Sequence, residues 1–509
     1  MIRRGVAVCD WLSAHRVSVG LGLILSVAAG LRLISFIGYG YQGDDAVYAD
    51  LAYRILTGGF LRVHDEPGLI YPVRLGILVP AAVSFKLFGV SEQALGVYPL
   101  FVSLLGILVA FLAGKTFFGE RVGVFAALLH ALLPVDVRYG TLLYPDPSAA
   151  LWLNVAVLLL YVGSREPLAK TKAVHGALAG LCLGLSWLCK EAVLFSLPFI
   201  AGYVLWCLYR EKANSVLAAS LSVGFGAVLG IEAAAYSWYL ADPLYHLHAI
   251  ERHSRHPSAT PWFWSPEASW SQLAARLFRD GPQAILLSTR FGLVTVVATL
   301  AVCYALFKGW KSFAFVSAWF MYHALVFNFG SHSLRNYMPL PTYDRYLWPL
   351  FLPSLLLTAA FVDAVFRDGK RVVRWREADN VFWAGMLAAV LALGFVHGIY
   401  RNFKEESVFM VEKTLSKMVS PDMVVYSDGI TLLGLRFFWA YPERTRLIEF
   451  GGMRSADISG TAYVLVNPKR AEILVQQGWK PPDFFYREVP NAWVQRWESS
   501  PARLYWVPQ

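Results

Sequence analysis

Long apolar runs, interrupted by short charged clusters, dominate the first 400 residues. Stretches near the ~20 residues that a helix needs to cross a bilayer fall near 17–37, 93–114, 122–142, 147–163, 173–189, 191–208, 215–238, 283–306, 312–329, 346–366 and 381–399. Basic clusters then occupy every second connection: Arg3, Arg4 and Arg16; Lys115 and Arg121; Arg165, Lys170 and Lys172; Arg210 and Lys212; Lys308 and Lys311; and Arg367, Lys370, Arg371, Arg374 and Arg376. Lys and Arg gather on the cytoplasmic side of membrane proteins. The alternation therefore predicts a cytoplasmic N-terminus and an extracytoplasmic C-terminus, with the long connections 38–92, 239–282 and 330–345 also outside. One helix more or fewer would break it.

The first of these connections carries two further helical patterns. GDDAVYADLAYRILTGG has Asp44 and Asp45 at its start, Gly58 and Gly59 at its end, and Val47, Leu51 and Ile55 on one face. YPVRLGILVPAAVSFKLFG is apolar but holds Arg74, Lys86 and two prolines. It reads as a helix lying in the membrane interface, because counting it as a span would invert every later loop. Beyond residue 400, MVVYSD, TRLIEF and AYVLVN read as strands, and AEILVQQG and 407–418 as helices. The expected organisation is an all-α polytopic membrane domain over 1–400 and a small external α/β domain over 401–509. The second domain shows no catalytic motif, so a structural or acceptor-guiding role is expected of it.

Composition agrees with lipid as part of the solvent. The 509 residues are 57% hydrophobic and only 16% charged, against about 25% charged in soluble chains, and the mean hydropathy is +0.47. The 18 Trp and 25 Tyr suit many helix ends at the membrane interface. The net charge of +10 sits in loop clusters between apolar runs, which argues against a nucleic-acid partner. Cys182, Cys189, Cys207 and Cys303 lie within apolar spans and Cys9 near the N-terminus, so neither a disulfide framework nor a CxxC metal site is implied. The N-terminus has no A-x-A-like cleavage site and Arg32 closes its apolar run, as in an uncleaved first span.

Several polar residues fall at the side expected to be external. Asp44 and Asp45 suit capping of the helix that follows them, and equally a carboxylate that takes a proton from an attacking hydroxyl; the two roles are compatible. Asp50 lies further along, on what reads as a solvated face. Asp146, in YPDPS, either caps the next helix or belongs to a site. Lys190 and Glu191 sit between apolar stretches, where ionisable groups are costly and usually paired or functional; Lys190 reads as an anion ligand. Arg74 and Arg345, the latter in PTYDRYLWPL beside Tyr346, add two cations that also suit snorkelling. A lipid phosphate is the ligand that Arg74, Lys190 and Arg345 together would fit. His246, His248, His253 and His256 invite a metal reading, but no H-E-x-x-H pattern is present, and polar substrate contacts fit equally.

These segments, taken in order, resemble the GT-C glycosyltransferases of the protein O-mannosyltransferase and aminoarabinose transferase type. GDDAVYADLAYRILTGG, YPVRLGILVPAAVSFKLFGVSEQALG, KTFFGERVGVFAALLHALLP, YGTLLYPDPSAALW and GLSWLCKEAVLFSLP carry the resemblance over about the first 210 residues; 246–264 and RYLWPLFLP match more loosely. The resemblance implies transfer of a sugar from a polyprenyl-phosphate donor to a lipid, glycan or protein acceptor outside the cytoplasm, by an enzyme of the plasma or inner membrane. It implies that Asp44 and Asp45 are the family's acidic pair, with Asp44 the base, and that Tyr48, Asp146 and Lys190 fall on family positions, with Arg74 the local cation. The candidate site is then catalytic Asp44, Asp45 and Asp146 with substrate contacts from Tyr48, Arg74 and Lys190, to which the loosely matching segments add His253, Arg345 and Tyr346. No cofactor is implied; a divalent metal is compatible but not required. Val47 stands where lipid A-modifying members have arginine, and Tyr71-Pro72-Val73-Arg74 where they have Glu-Lys-Pro, so the sugar is not fixed. The Trp-Trp-Asp motif of oligosaccharyltransferases is absent from the C-terminal region. A transporter or lipid flippase is the competing class, but no internal repeat of the transporter kind is seen.

Overall fold

A computed structural model describes residues 16–39, 44–59, 70–255, 269–287, 294–331, 337–342, 344–372, 410–442, 446–451, 453–458, 460–467, 475, 480–485, 489–499 and 502–508. The apolar run 381–399, the AEILVQQG segment, Gly43 and His256 lie wholly or largely outside these residues. In chain order the helices are α1 (Arg16–Ile34), α2 (Asp44–Thr57), α3 (Leu75–Phe88), α4 (Glu92–Phe118), α5 (Glu120–Leu132), α6 (Pro134–Tyr139), α7 (Pro145–Gly163), α8 (Ala169–Cys189), α9 (Leu197–Arg210), α10 (Ser215–Leu240), α11 (Tyr245–Arg255), α12 (Trp270–Ala275), α13 (Gly281–Leu286), α14 (Val294–Lys308), α15 (Ala314–Phe329), α16 (Phe351–Val372), α17 (Met410–Met418) and α18 (Gly429–Phe438). The strands are β1 (Val424–Ser427), β2 (Arg446–Glu449), β3 (Ala462–Val466), β4 (Val494–Ser499) and β5 (Ala502–Val507). The chain divides into two compact units. The first takes in Met1–Phe36, Tyr98–Tyr245 and Pro266–Phe403, and the second Ile37–Val97, His246–Ser265 and Lys404–Gln509.

The first unit is helical. Among the described residues, eight helical segments of the chain are long and apolar enough to cross a membrane, and the chain is a multi-pass membrane protein. Several expected spans are not continuous α-helices, three of them breaking inside runs that read as continuous in the sequence. The run 122–142 breaks at Leu133, whose backbone is extended (φ −64°, ψ 118°) because Pro134 follows it. In 191–208, residues Glu191–Ser196 form a 3-10 turn ahead of Pro198, and Lys190 is extended at φ −160°. In the run 283–306 one helix ends at Leu286, with Leu287 outside it, and the next described helix starts at Val294. Each break frees polar backbone at a helix end, which membrane proteins tolerate where protein covers it.

Helices α8 and α10 approach closely because glycines line both. A Cβ added at Gly180 would meet the Leu221 carbonyl, one at Gly176 the Leu217 carbonyl, and one at Gly224 the Ala177 carbonyl. Small residues at a four-residue spacing let two backbones touch where lipid gives no hydrophobic drive. Gly180→Leu is expected to destabilise the protein by about 1–3 kcal/mol. That would appear as a lower thermal midpoint in detergent; an unchanged midpoint would show that the helices can part freely.

In the second unit, α3 packs one face (Ile77, Leu78, Ala81, Ala82, Phe85) inward and leaves Val79, Val83 and Leu87 exposed. Its 14 residues are too few to span a bilayer, and two apolar faces suit a helix lying at the interface. Residues beyond 410 form a five-stranded sheet ordered β2-β1-β3-β5-β4, with β1 parallel to β2 and β3, and β5 antiparallel to β3 and β4. Strands β1, β2 and β3 match those expected from the sequence; β4 and β5 are not among the expected ones. One sheet face carries Tyr426, Phe450, Val464, Phe484 and Trp493; the other carries Val425, Leu465 and Leu504 under Leu415 of α17 and Leu432 and Leu435 of α18. Asp428 starts α18 by accepting the Thr431 amide at 2.9 Å. This sheet is in one unit with the first loop: Phe437 of α18 stacks on Tyr39 at 4.1 Å between centroids, and Lys413 of α17 pairs with Glu92.

Candidate functional site

The second unit holds Asp44, Asp45, Tyr48, Arg74 and His253. Both aspartates lie in the first turn of α2, where the partial positive charge of the helix end stabilises carboxylates. Asp45 is fully buried, whereas Asp44 is partly exposed, so of the two Asp44 is the carboxylate that solvent reaches. The Tyr71 hydroxyl donates to Asp44 Oδ1 at 3.2 Å. Tyr71 sits edge-on to Tyr48 at 5.3 Å, and the Arg74 guanidinium donates to the Tyr48 hydroxyl while lying 5.7 Å from the Tyr71 ring. Arg74 terminates the 3-10 turn Tyr71–Val73 and its carbonyl accepts from Ile77 and Leu78, so its backbone is fixed by the start of α3. A carboxylate, two phenols and a buried guanidinium thus converge from segments some 26 residues apart. His253 lies near the end of α11, half-buried. Among the described residues no three His, Cys, Asp or Glu side chains are grouped to hold a metal.

The first unit holds Asp146, Lys190, Arg345 and Tyr346, and brings all four together. Asp146 falls in the first turn of α7, started by Pro145. Lys190 leaves the helix at the end of α8, and its extended backbone lets Nζ reach Asp146 Oδ1 at 2.5 Å, both side chains being 7% exposed. The ammonium also stands 4.1 Å from the centre of the Tyr346 ring. Arg345 donates to the Tyr346 hydroxyl at 3.0 Å and lies against the Tyr144 ring at 5.5 Å. Two cations framed by aromatic rings, in a setting drier than water, favour an anion with several oxygen acceptors.

The residues 78–236 match the family model of dolichyl-phosphate-mannose-protein mannosyltransferases. An undecaprenyl phosphate-alpha-4-amino-4-deoxy-L-arabinose arabinosyl transferase from Aeromonas salmonicida is 26% identical over 383 residues, 71% of this chain and 63% of that relative. One from Sodalis glossinidius is 27% identical over 40% of this chain and 36% of the relative. Among solved structures, ArnT from Cupriavidus metallidurans in the apo state superposes with a TM-score of 0.61 at 14% identity, covering 98% of both chains. The chain has the GT-C fold. The oligosaccharyltransferase AglB from Archaeoglobus fulgidus shares it at a TM-score of 0.58 and 13% identity, over 92% of this chain and 72% of that one. The chain spans less than two thirds of the length of its first curated relative.

Three residues with contacts in or beside these clusters, Asp50, Tyr71 and Tyr144, carry no site reading in the sequence. Asp50, placed by its sequence on a solvated face, is buried at 4% exposure; its Oδ2 accepts from Arg54 at 2.6 Å and its Oδ1 pairs with Arg436 at 3.2 Å. The signal available was Arg54 four residues on, whereas Arg436 lies far away in sequence. Tyr71 and Tyr144 gave no signal, because a tyrosine in an aromatic-rich chain has no distinctive spacing.

Proposed function

We propose that the chain is an inverting glycosyltransferase of the inner membrane that moves a sugar from a polyprenyl-phosphate donor to a hydroxyl acceptor on the extracytoplasmic side. The observation that carries this reading is the partly exposed Asp44 carboxylate at a helix start, with the Tyr71 hydroxyl and the buried Tyr48–Arg74 pair beside it. Asp44 takes the proton of the acceptor hydroxyl, whose oxygen bonds to the anomeric carbon. The bond from that carbon to the phosphate oxygen breaks, and its electron pair leaves with the polyprenyl phosphate. Within the second unit Arg74, held by the Tyr48 hydroxyl, meets the charge that grows on the leaving phosphate; within the first, Lys190 and Arg345, framed by Tyr346, suit a phosphate with several oxygen acceptors. Fixed donors aimed at developing charge account for most of the rate enhancement in many enzymes. Asp146 holds Lys190 in place until phosphate competes for it, and His253 contacts substrate. Cations of the chain serve the leaving group, so the scheme requires no divalent metal.

The relatives support a lipid-linked donor: their names specify undecaprenyl phosphate, the Cupriavidus protein has been solved bound to undecaprenyl phosphate, and AglB with dolichol-phosphate and a peptide. The basic clusters support the orientation, with the N-terminus cytoplasmic and the C-terminus outside. The test is an assay of purified protein with labelled polyprenyl-phosphate sugars, following label into lipid, glycan and protein fractions. Transfer to any of them is expected. Failure to consume any donor would favour a transporter or flippase instead. In the same assay Lys190→Ala is expected to raise KM for the lipid donor by about 10- to 100-fold, the loss of one charge-assisted hydrogen bond. An unchanged KM would remove Lys190 from phosphate binding.

A further inference from the structure

Helix α2, which carries Asp44, is gripped twice along its length. The first grip is the Tyr71 and Tyr48–Arg74 contact near its start. The second comes from the C-terminal sheet domain. Asp50 gives one oxygen to Arg54 of its own helix and the other to Arg436 of α18. Arg436 in turn lies 5.4 Å over the Tyr441 ring. Tyr441 stacks on Tyr53 of α2 at 4.3 Å and 12° between planes, and its carbonyl accepts from the Tyr53 hydroxyl at 3.4 Å. Ala440 and Tyr441 both hold left-handed backbone, φ 55° and 53°, which non-glycine residues rarely adopt and which persists where surrounding contacts enforce it. The Tyr441 side chain is buried, and burial followed by the nearby Asp50 carboxylate push its hydroxyl well above the ordinary tyrosine range, so the ring stays neutral against α2.

We propose that Arg436 and the Ala440–Tyr441 turn are a positioning device, by which the C-terminal domain sets the rotation of α2 and hence the aim of Asp44. This deepens the functional reading above and rests on Asp44 being the base. Arg54 alone satisfies one Asp50 oxygen from within the helix; Arg436 is the group that ties the helix to another element. Asp50 lies six residues after Asp44, about 9 Å along the axis, so the second grip fixes rotation without touching the acceptor. A reacting group misplaced by about 1 Å loses on the order of 100-fold in rate.

The test uses the full-length protein in detergent, with donor turnover and amide hydrogen exchange as separate readouts. Arg436→Ala is expected to lower kcat about 10- to 100-fold with KM for the lipid donor within about twofold, and to speed exchange in 44–57 while β1 and β3 stay protected. Arg436→Lys, which keeps the charge, should recover much of the rate. Asp50→Asn combined with Arg436→Ala should lose no more than the worse single variant. Unchanged kcat in Arg436→Ala, or a drop shared equally between kcat and donor affinity, would overturn the positioning role. If the wild-type chain consumes no polyprenyl-phosphate donor, the functional reading fails on its own, and exchange in 44–57 decides whether Arg436 holds the helix: unchanged exchange overturns that as well.

Discussion

Asp44→Asn is expected to abolish sugar transfer while leaving the protein folded and able to bind its lipid donor. Asparagine matches aspartate in size and starts helices as well, and its carbonyl oxygen still accepts from the Tyr71 hydroxyl that now donates to Oδ1 at 3.2 Å. What disappears is the basic carboxylate. General-base assistance is worth about 100- to 10,000-fold, so kcat should fall by at least that range's lower end. The thermal midpoint should move little, since Asp44 is partly exposed and substitutions at such positions change stability by about 0.5 kcal/mol or less. The measurement is single-turnover transfer of labelled sugar beside donor binding by the same preparation. Turnover retained within about tenfold of wild type would fall short of the general-base range and remove Asp44 from the role.

What the chain made legible was whatever depends on local pattern. Apolar runs of bilayer length placed the helices of the first unit, and β1, β2 and β3 announced themselves by short β-branched runs between polar residues. Asp44, Lys190 and Arg345 stood out because charge beside apolar runs is costly. What stayed hidden depends on pairing across long sequence separations. Asp50 and Arg436 are 386 positions apart, and nothing near either foretells the other. Strands β4 and β5, VQRWES and ARLYWV, set charged residues among apolar ones, and what makes them strands is their pairing with each other and with β3. The breaks at Leu133 and Lys190 were visible as Pro134 and Pro198, but apolarity on both sides made each run look continuous. Hydropathy reports what lipid accepts, and it is blind to where the backbone turns within protein.

Asp136→Ala is expected to be among the most destabilising single changes in the membrane unit. Arg32, which closes the first apolar run in sequence, is fully buried and pairs with Asp136, itself 1% exposed. Ser103 accepts from Arg32 Nε at 2.5 Å and donates to Asp136 Oδ2 at 2.7 Å, while Arg32 Nη1 donates to the carbonyls of Ala28 and Ala131. His130 Nε2 stands 3.5 Å from the same Asp136 oxygen. One carboxylate therefore ties α1, α4, α5 and α6 together, just ahead of the turn that delivers Asp146. Removing it leaves a buried guanidinium without a counter-charge, which costs about 3–5 kcal/mol out of a total stability on the order of 5–15 kcal/mol. The sign of the second step separates charge from packing. If the penalty is uncompensated charge, Arg32→Met added to Asp136→Ala should restore part of the loss, because apolar groups of similar volume often replace a buried pair at little cost. If it is cavity and packing, the double variant should be worse than either single one. Unfolding in detergent of the three variants distinguishes these outcomes, and a single Asp136→Ala variant within about 1 kcal/mol of wild type would mean that Arg32 reaches another anion or water.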